Sequence, residues 1–137
     1  MDIDAIDHQI LQLLKQDSQL SHKQIGECVH RTGQAVGARI QRLIDVGVLQ
    51  KYTIQIYYPQ RQFIRLFLQQ PLFSDLEQRI KQFDQIENFY KVAGQACYMI
   101  VAHFDIQQLN AFIEVISPFA RYSVETVLRE VDLNKTR

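Results

Sequence analysis

No apolar run in this 137-residue chain approaches the roughly 18 residues that a membrane helix needs. Cysteine is scarce: Cys28 and Cys97 make no disulfide framework, which suits a reducing interior. The opening Met1-Asp2-Ile3-Asp4-Ala5-Ile6-Asp7 is acidic where a secretion signal is basic and then apolar, so the expected location is the cytoplasm, with no membrane partner. Net charge is missing too, with 15 basic residues against 15 acidic. As an average, that neutrality speaks against nucleic acid, whose binding domains usually carry a basic excess. What is present is 47% hydrophobic residues, enough for a packed core and too many for wholesale disorder. Nineteen glutamines are scattered, in no run longer than Gln69-Gln70 or Gln107-Gln108, and read as polar, uncharged surface.

A change of period near residue 50 divides the chain. Before it the pattern is helical. Ile6, Ile10, Leu13 and Leu14 form one apolar stripe, with Asp4 as N-cap and Asp7 adding negative charge to the first turn. Ser21-His22-Lys23-Gln24 is a capping box that opens a short second helix burying Ile25 and Val29. Thr32 caps a third helix whose stripe is Val36, Ile40, Leu43 and Ile44, stopped at Gly47. Three short helices with a tight second junction read as a helix-turn-helix. Tyr52–Tyr58 is β-rich and predicts an extended wing, and Pro59-Gln60-Arg61-Gln62 a hinge.

From Phe63 the order is strand, helix, strand, strand, helix, strand. The expected elements are a strand at Phe63–Leu68 and a helix opened by a Ser74-Asp75-Leu76-Glu77 capping box with Phe73, Leu76, Ile80 and Phe83 inward. Strands at Ile86–Val92 and Cys97–Phe104 follow. Asp105 then caps a helix burying Ile106, Leu109, Ile113 and Ile116, and a last strand runs over Tyr122–Leu133. The fold class is therefore α+β, a winged three-helix unit over residues 1–58, a hinge at 59–62 and a ferredoxin-like βαββαβ unit over 63–137. Ile64, Leu66 and Leu68 alternate with Phe63 and Phe67, and Tyr98, Ile100 and Ala102 with Cys97, Met99 and Val101. Both faces are apolar in at least these two strands, so the face without helices is expected to meet a second subunit.

The third helix carries the functional signal. At 100° per residue, Ala38 and Arg42 fall opposite its apolar stripe, flanked by Gln34, Ala35 and Gln41, with Arg39 at the edge. Small residues allow a backbone to approach a major groove, Gln and Arg can read base edges, and Arg can anchor phosphate. Thr32 and the free N–H groups at the helix start suit a phosphate oxygen. His22 and Lys23 open the second helix, where such motifs cross the DNA backbone, and Lys51 follows the third. Gly37, unfavourable within a helix by about 1 kcal/mol relative to Ala, implies close packing on the second helix. From His22 to Tyr52, Lys23, Arg31, Arg39, Arg42 and Lys51 face only Glu27 and Asp45, a local excess that the average hides. An excess that small makes a second subunit necessary for useful affinity.

Other chemistry is not supported. His22, Cys28 and His30 match no zinc spacing, and Cys28 reads as a small core residue. Cys97 and His103 lie roughly 20 Å apart along one strand and cannot form a nucleophile–base pair. There is no phosphate-binding glycine loop and no Gly-x-Ser-x-Gly elbow. The chain is read as a non-enzyme without metal or cofactor.

Ile3-Asp4-Ala5-Ile6-Asp7 with Ile10-Leu11, Leu14 and Asp17 resembles the opening signature of the leucine-responsive regulator (Lrp/AsnC) family of transcription factors. The resemblance continues through Leu20-Ser21, Ile25, Val29 and Thr32. It is strongest in Arg39-Ile40-Gln41-Arg42-Leu43-Ile44, Gly47-Val48-Leu49 and Tyr52-Thr53. Val92-Ala93-Gly94 with Tyr98, and Thr126-Val127-Leu128-Arg129-Glu130-Val131, are similar to that family's effector-binding half. The resemblance implies a sequence-specific regulator that binds double-stranded DNA as a homodimer or higher homo-oligomer. It also implies modulation by a small metabolite, an amino acid or related compound, at Gly94, Gln95, Ala96, Cys97 and Tyr98. That turn lacks the carboxylates with which the family pairs an amino group. The competing readings are a small-molecule sensor or protein-interaction module, and a weakly specific architectural DNA binder.

Overall fold

The computed structural model describes residues 2–134, and the chain divides between Gln55 and Ile56 into two compact units. The first holds α1 (Ala5–Gln16), α2 (His22–Val29) and α3 (Gly33–Asp45). Each begins where a side chain satisfies the orphan N–H groups of its first turn. Asp4 and Asp7 form a reciprocal capping box on α1, Ser21 and Gln24 another on α2, and Thr32 Oγ1 accepts from Ala35 N at 3.1 Å. Ile10, Leu14, Ile25, Val29, Val36 and Ile40 form one buried cluster. The turn between α2 and α3 depends on Gly26. A Cβ there would sit 2.3 Å from the Arg31 carbonyl oxygen, so only glycine lets the chain fold back this tightly. His30 closes α2 in the left-handed region, at φ 59°.

The second unit is a four-stranded antiparallel sheet in the order β2-β3-β1-β4. Its elements are β1 (Gln62–Leu68), α4 (Phe73–Ile80), β2 (Ile86–Lys91), β3 (Tyr98–Ala102), α5 (Ile106–Ile116) and β4 (Ala120–Thr126). Both helices pack on the face that carries Ile64, Leu66, Tyr98, Ile100 and Ala102. This is the expected ferredoxin-like order. The other face presents Phe63, Phe67, Tyr90, Met99 and Val101, of which Phe63 and Tyr90 are exposed. A bulge between Ile86 and Asn88 places Glu87 against Arg61, whose guanidinium donates to both of its oxygens at 3.0 and 3.2 Å.

Several local expectations change. Residues 50–61 carry no strand, so no wing forms within the chain, and Tyr52, Ile54, Ile56 and Tyr57 are exposed. A β-rich sequence becomes a strand only where a neighbour accepts its hydrogen bonds, and this segment has none among the described residues. The last strand ends at Thr126 for the same reason, after Val127 N bonds to Arg61 O, leaving Leu128, Val131 and Leu133 exposed. The Ser74 capping box does not form. α4 starts two residues earlier, at Phe73, with no side-chain cap, and the Glu77 carboxylate accepts from the Tyr98 hydroxyl instead. In α5, Ile106 is 69% exposed and Phe112 fully buried, because Phe112 fills the space against Phe83 and Phe104 with ring centroids at 5.1 and 5.0 Å. Cys28 is exposed, since the period of α2 turns Ile25, Gly26 and Val29 inward and residue 28 out.

Candidate nucleic-acid interface

The outward surface of α3 is built by elimination. Val36, Ile40 and Leu43 are taken into the core, which leaves Gln34, Ala38, Gln41 and Arg42 exposed, with Ala35 and Arg39 half-buried. At the start of the helix Thr32 holds the third N–H, and the two before it have no intrahelical acceptor. α2 approaches this end closely. A Cβ on Gly33 would meet Lys23 N at 3.2 Å, and one on Gly37 would meet His22 Nδ1 at 2.9 Å. The two glycines thus let the opening of α2 lie on α3, and they bring His22 and Lys23, both exposed, beside Thr32 and Gln34. Close packing at Gly37 is what the sequence leads one to expect; Gly26 and Gly33 give no such sign until the turn is seen.

The arginines are not equivalent. Arg39 Nη1 donates to both oxygens of Asp4, at 2.8 and 2.7 Å, and to Asp7 Oδ1 at 3.1 Å. Bonding to Arg39 holds the Asp4 carboxyl down, from 3.8 to about 2, and the same pairing raises the already high pKa of the guanidinium. Arg42 is freer. Its Nη2 donates to the Asp2 carbonyl at 2.8 Å, and its Nη1 is 3.7 Å from Asp7 Oδ2. These groups enclose a shallow groove of about 700 Å³ between the start of α1 and the flank of α3. Lys51 is not brought to this surface; it lines a groove beside Leu14–Gln19 at the end of α1. The carboxylates Asp4 and Asp7 belong to the arrangement although the sequence marks them only as helix-capping residues.

The five residues of the effector turn do not form one surface. Gly94, at φ 146°, and Gln95 are exposed, whereas Ala96 and Tyr98 are buried and Cys97 is half-buried with its N–H on Leu66 O at 2.8 Å. Tyr98 belongs to the core side of β3. Its hydroxyl donates to Glu77 Oε2 at 2.5 Å and its ring packs on Phe73 and Phe89. Burial and the Glu77 carboxylate push its phenol pKa upward. Strand alternation explains the placement: Tyr98, Ile100 and Ala102 must share a face.

Comparison with known proteins agrees with this architecture. The family model for the AsnC-type helix-turn-helix domain matches residues 3–44, and that for the Lrp/AsnC ligand binding domain matches residues 61–136. The HTH-type transcriptional regulator LrpB of Bacillus subtilis is 33% identical over 137 residues, covering 96% of this chain and 92% of that protein. The solved structure of B. subtilis LrpC superposes with a TM-score of 0.88 at 26% identity, covering 98% of this chain and all of that one. A transcriptional regulator from Neisseria meningitidis, solved as a complex with L-Met, shares the fold at a TM-score of 0.83 and 18% identity, covering 98% and 95% of the two chains.

Proposed function

The chain belongs to the Lrp/AsnC family of DNA-binding transcriptional regulators, and from that membership we propose which surface meets DNA and how copies of the chain share the work. The outward face of α3 enters the major groove of double-stranded DNA and reads its sequence with Gln34 and Arg42. Ala35 and Ala38 allow the close approach, and Thr32, His22 and Lys23 meet phosphate. The observation that carries this reading is the exposed run Gln34, Ala38, Gln41 and Arg42 on a helix whose opposite side is fully buried. Arg39 supports this face from its edge, and Lys51 contributes charge at a distance.

Two copies bind through the helix-free faces of their sheets and present two helix-turn-helix units to a pseudo-palindromic site. The exposed Phe63 and Tyr90, and the unpaired β-rich segments about Ile54–Tyr57 and Leu128–Leu133, support this arrangement. Residues 1–58 are then the DNA-binding part, 59–62 the hinge and 63–137 the part that dimerises and senses. A small metabolite at the edge of the sheet, beside Gly94 and Gln95, shifts the balance between states that bind DNA differently. The protein works in the cytoplasm, which fits the absence, among the described residues, of a helix long and apolar enough to cross a membrane.

Selection of bound duplexes from a random pool tests the reading. A recovered motif with two related half-sites is the expected result. Retention of all sequences alike would make the chain an architectural binder, and no retention at low salt would leave only the sensor role. In the selected duplex, Arg42→Ala relaxes base preference at one position per half-site and weakens binding.

A further inference from the structure

Asp7 is 3% exposed although it carries a charge. A carboxylate leaves water only where partners replace the solvent. Besides the Asp4 N–H of its own helix cap, which Oδ2 accepts at 3.2 Å, its partners are cations from another helix: Oδ1 accepts from Arg39 Nη1 at 3.1 Å, and Oδ2 lies 3.7 Å from Arg42 Nη1. With Asp4 added, Arg39 Nη1 is closed on three carboxylate oxygens. Arg42 is less committed, its side chain 48% exposed against 29% for Arg39, and its short hydrogen bond is to the neutral Asp2 carbonyl. A guanidinium leaves a neutral carbonyl for a phosphate or a base edge far more readily than it leaves two carboxylates.

We propose that Asp7 is a positioning residue of the DNA interface: with Asp4 it makes Arg39 a strut between α1 and α3, and it aims Arg42 as the arginine of α3 that meets DNA. The inference rests on the DNA reading of α3 and gives the two arginines opposite duties within it. The acidic start of the chain, which lowers its average charge, is then part of the binding machinery and not an obstacle to it.

The test measures affinity of the full chain for its selected duplex and for an unrelated duplex, each over a salt series. Arg42→Ala lowers the slope of log affinity on log salt by about one per protomer, because a cation in the groove also displaces counterions, whereas Arg39→Gln leaves that slope unchanged because a strut enters no groove. Asp7→Asn retains both arginines, yet it lowers the ratio of specific to non-specific affinity about tenfold with no loss of slope. Asp4→Asn keeps the helix capped, since Asn is as good an N-cap as Asp, and moves the ratio the same way by less. A merely structural role would lower both affinities together and leave their ratio alone. If Asp7→Asn does not fold by circular dichroism, the ratio for Asp4→Asn decides. Equal loss of slope in the two arginine variants, or an unchanged ratio in the acidic ones, overturns the proposal. A wild-type chain that selects no sequence overturns the DNA reading along with it, a result distinct from a chain that selects a sequence and is indifferent to Asp7.

Discussion

In the helical unit the polar side chain that leaves water is a charged one, Asp7, and its partners are arginines of a neighbouring helix. In the sheet unit it is the neutral Gln62, and its partner is backbone: Nε2 donates to Phe104 O at 2.9 Å, and Phe104 N donates to Oε1 at 3.0 Å. The amide of Gln62 thus continues the sheet's hydrogen bonding past the end of β3 and serves structure alone. The Asp7 cluster includes the exposed carboxylate of Asp4 and the half-exposed Arg42, so it is open to salt and to pH, and on the proposed reading to DNA. Apolar surface divides the other way. The helical unit buries most of its stripes internally, with Ile44 of the expected α3 stripe 41% exposed, while the sheet unit leaves Phe63 and Tyr90 of its helix-free face exposed.

The sharpest way to break this contrast is Gln62→Leu. Both Phe104 backbone groups then stay buried without partners, at a cost of about 3 kcal/mol. Urea unfolding of the sheet unit should show the loss at low and high salt alike. A strongly salt-dependent loss would mean that charge, not backbone pairing, is at issue there. Next is Gly26→Ala. Helix propensity gains about 1 kcal/mol, but the new Cβ meets a backbone oxygen that cannot move without opening the turn. A net loss of about 2 kcal/mol is expected in the helical unit only, and DNA affinity should fall with it.

Tyr98→Phe has a smaller effect, about 1 kcal/mol, from the lost hydroxyl bond to Glu77. It also changes the alkaline limb of stability. The folded phenol pKa is raised, so the stability it contributes is complete below the unfolded value of 10.0 and is lost as pH climbs above it. Wild type should therefore lose stability above about pH 10 with a steepness that Tyr98→Phe lacks. Were the two limbs parallel, the hydroxyl would be titrating in water and Tyr98 would be available to an effector after all.

How much of this the sequence reveals follows from where each partner comes from. Asp4, Ser21 and Thr32 are legible as caps because their acceptor and donor lie three residues apart. The buried stripes of α1 and α3 are legible because a single period describes them. The βαββαβ order shows in the alternation of periods. By contrast, the pairing of Arg39 with Asp4 spans 35 residues and that of Gln62 with Phe104 spans 42, and no local pattern marks either. Ser74 misleads because its box competes with a tertiary partner for Glu77, and Tyr98 wins. Ile106 misleads because a fourfold period fits two adjacent faces of α5, and the phenylalanine cluster decides between them. The segments about Ile54 and Leu128 look like strands, but among the described residues no neighbouring strand accepts their hydrogen bonds, and they stay exposed.

The finest test of the contrast is acid titration of Asp4→Asn. Arg39 holds the Asp4 carboxyl at about 2 against an ordinary 3.8, with the Asp7 amide assisting. A group whose folded pKa is depressed contributes stability that is complete above the unfolded value and disappears as pH falls through the folded one. The helical unit should therefore lose a small increment of stability between pH 3.8 and about 2. The carboxylate is exposed, so salt screens the increment, and it should shrink in 1 M salt. Asn preserves the cap and removes the charge, so the variant isolates the Arg39 contact from helix initiation. Following helical ellipticity through thermal unfolding at each pH, wild type and Asp4→Asn should differ above pH 3.8 and converge near 2. Curves that stay parallel throughout would mean that Arg39 draws nothing from this charge.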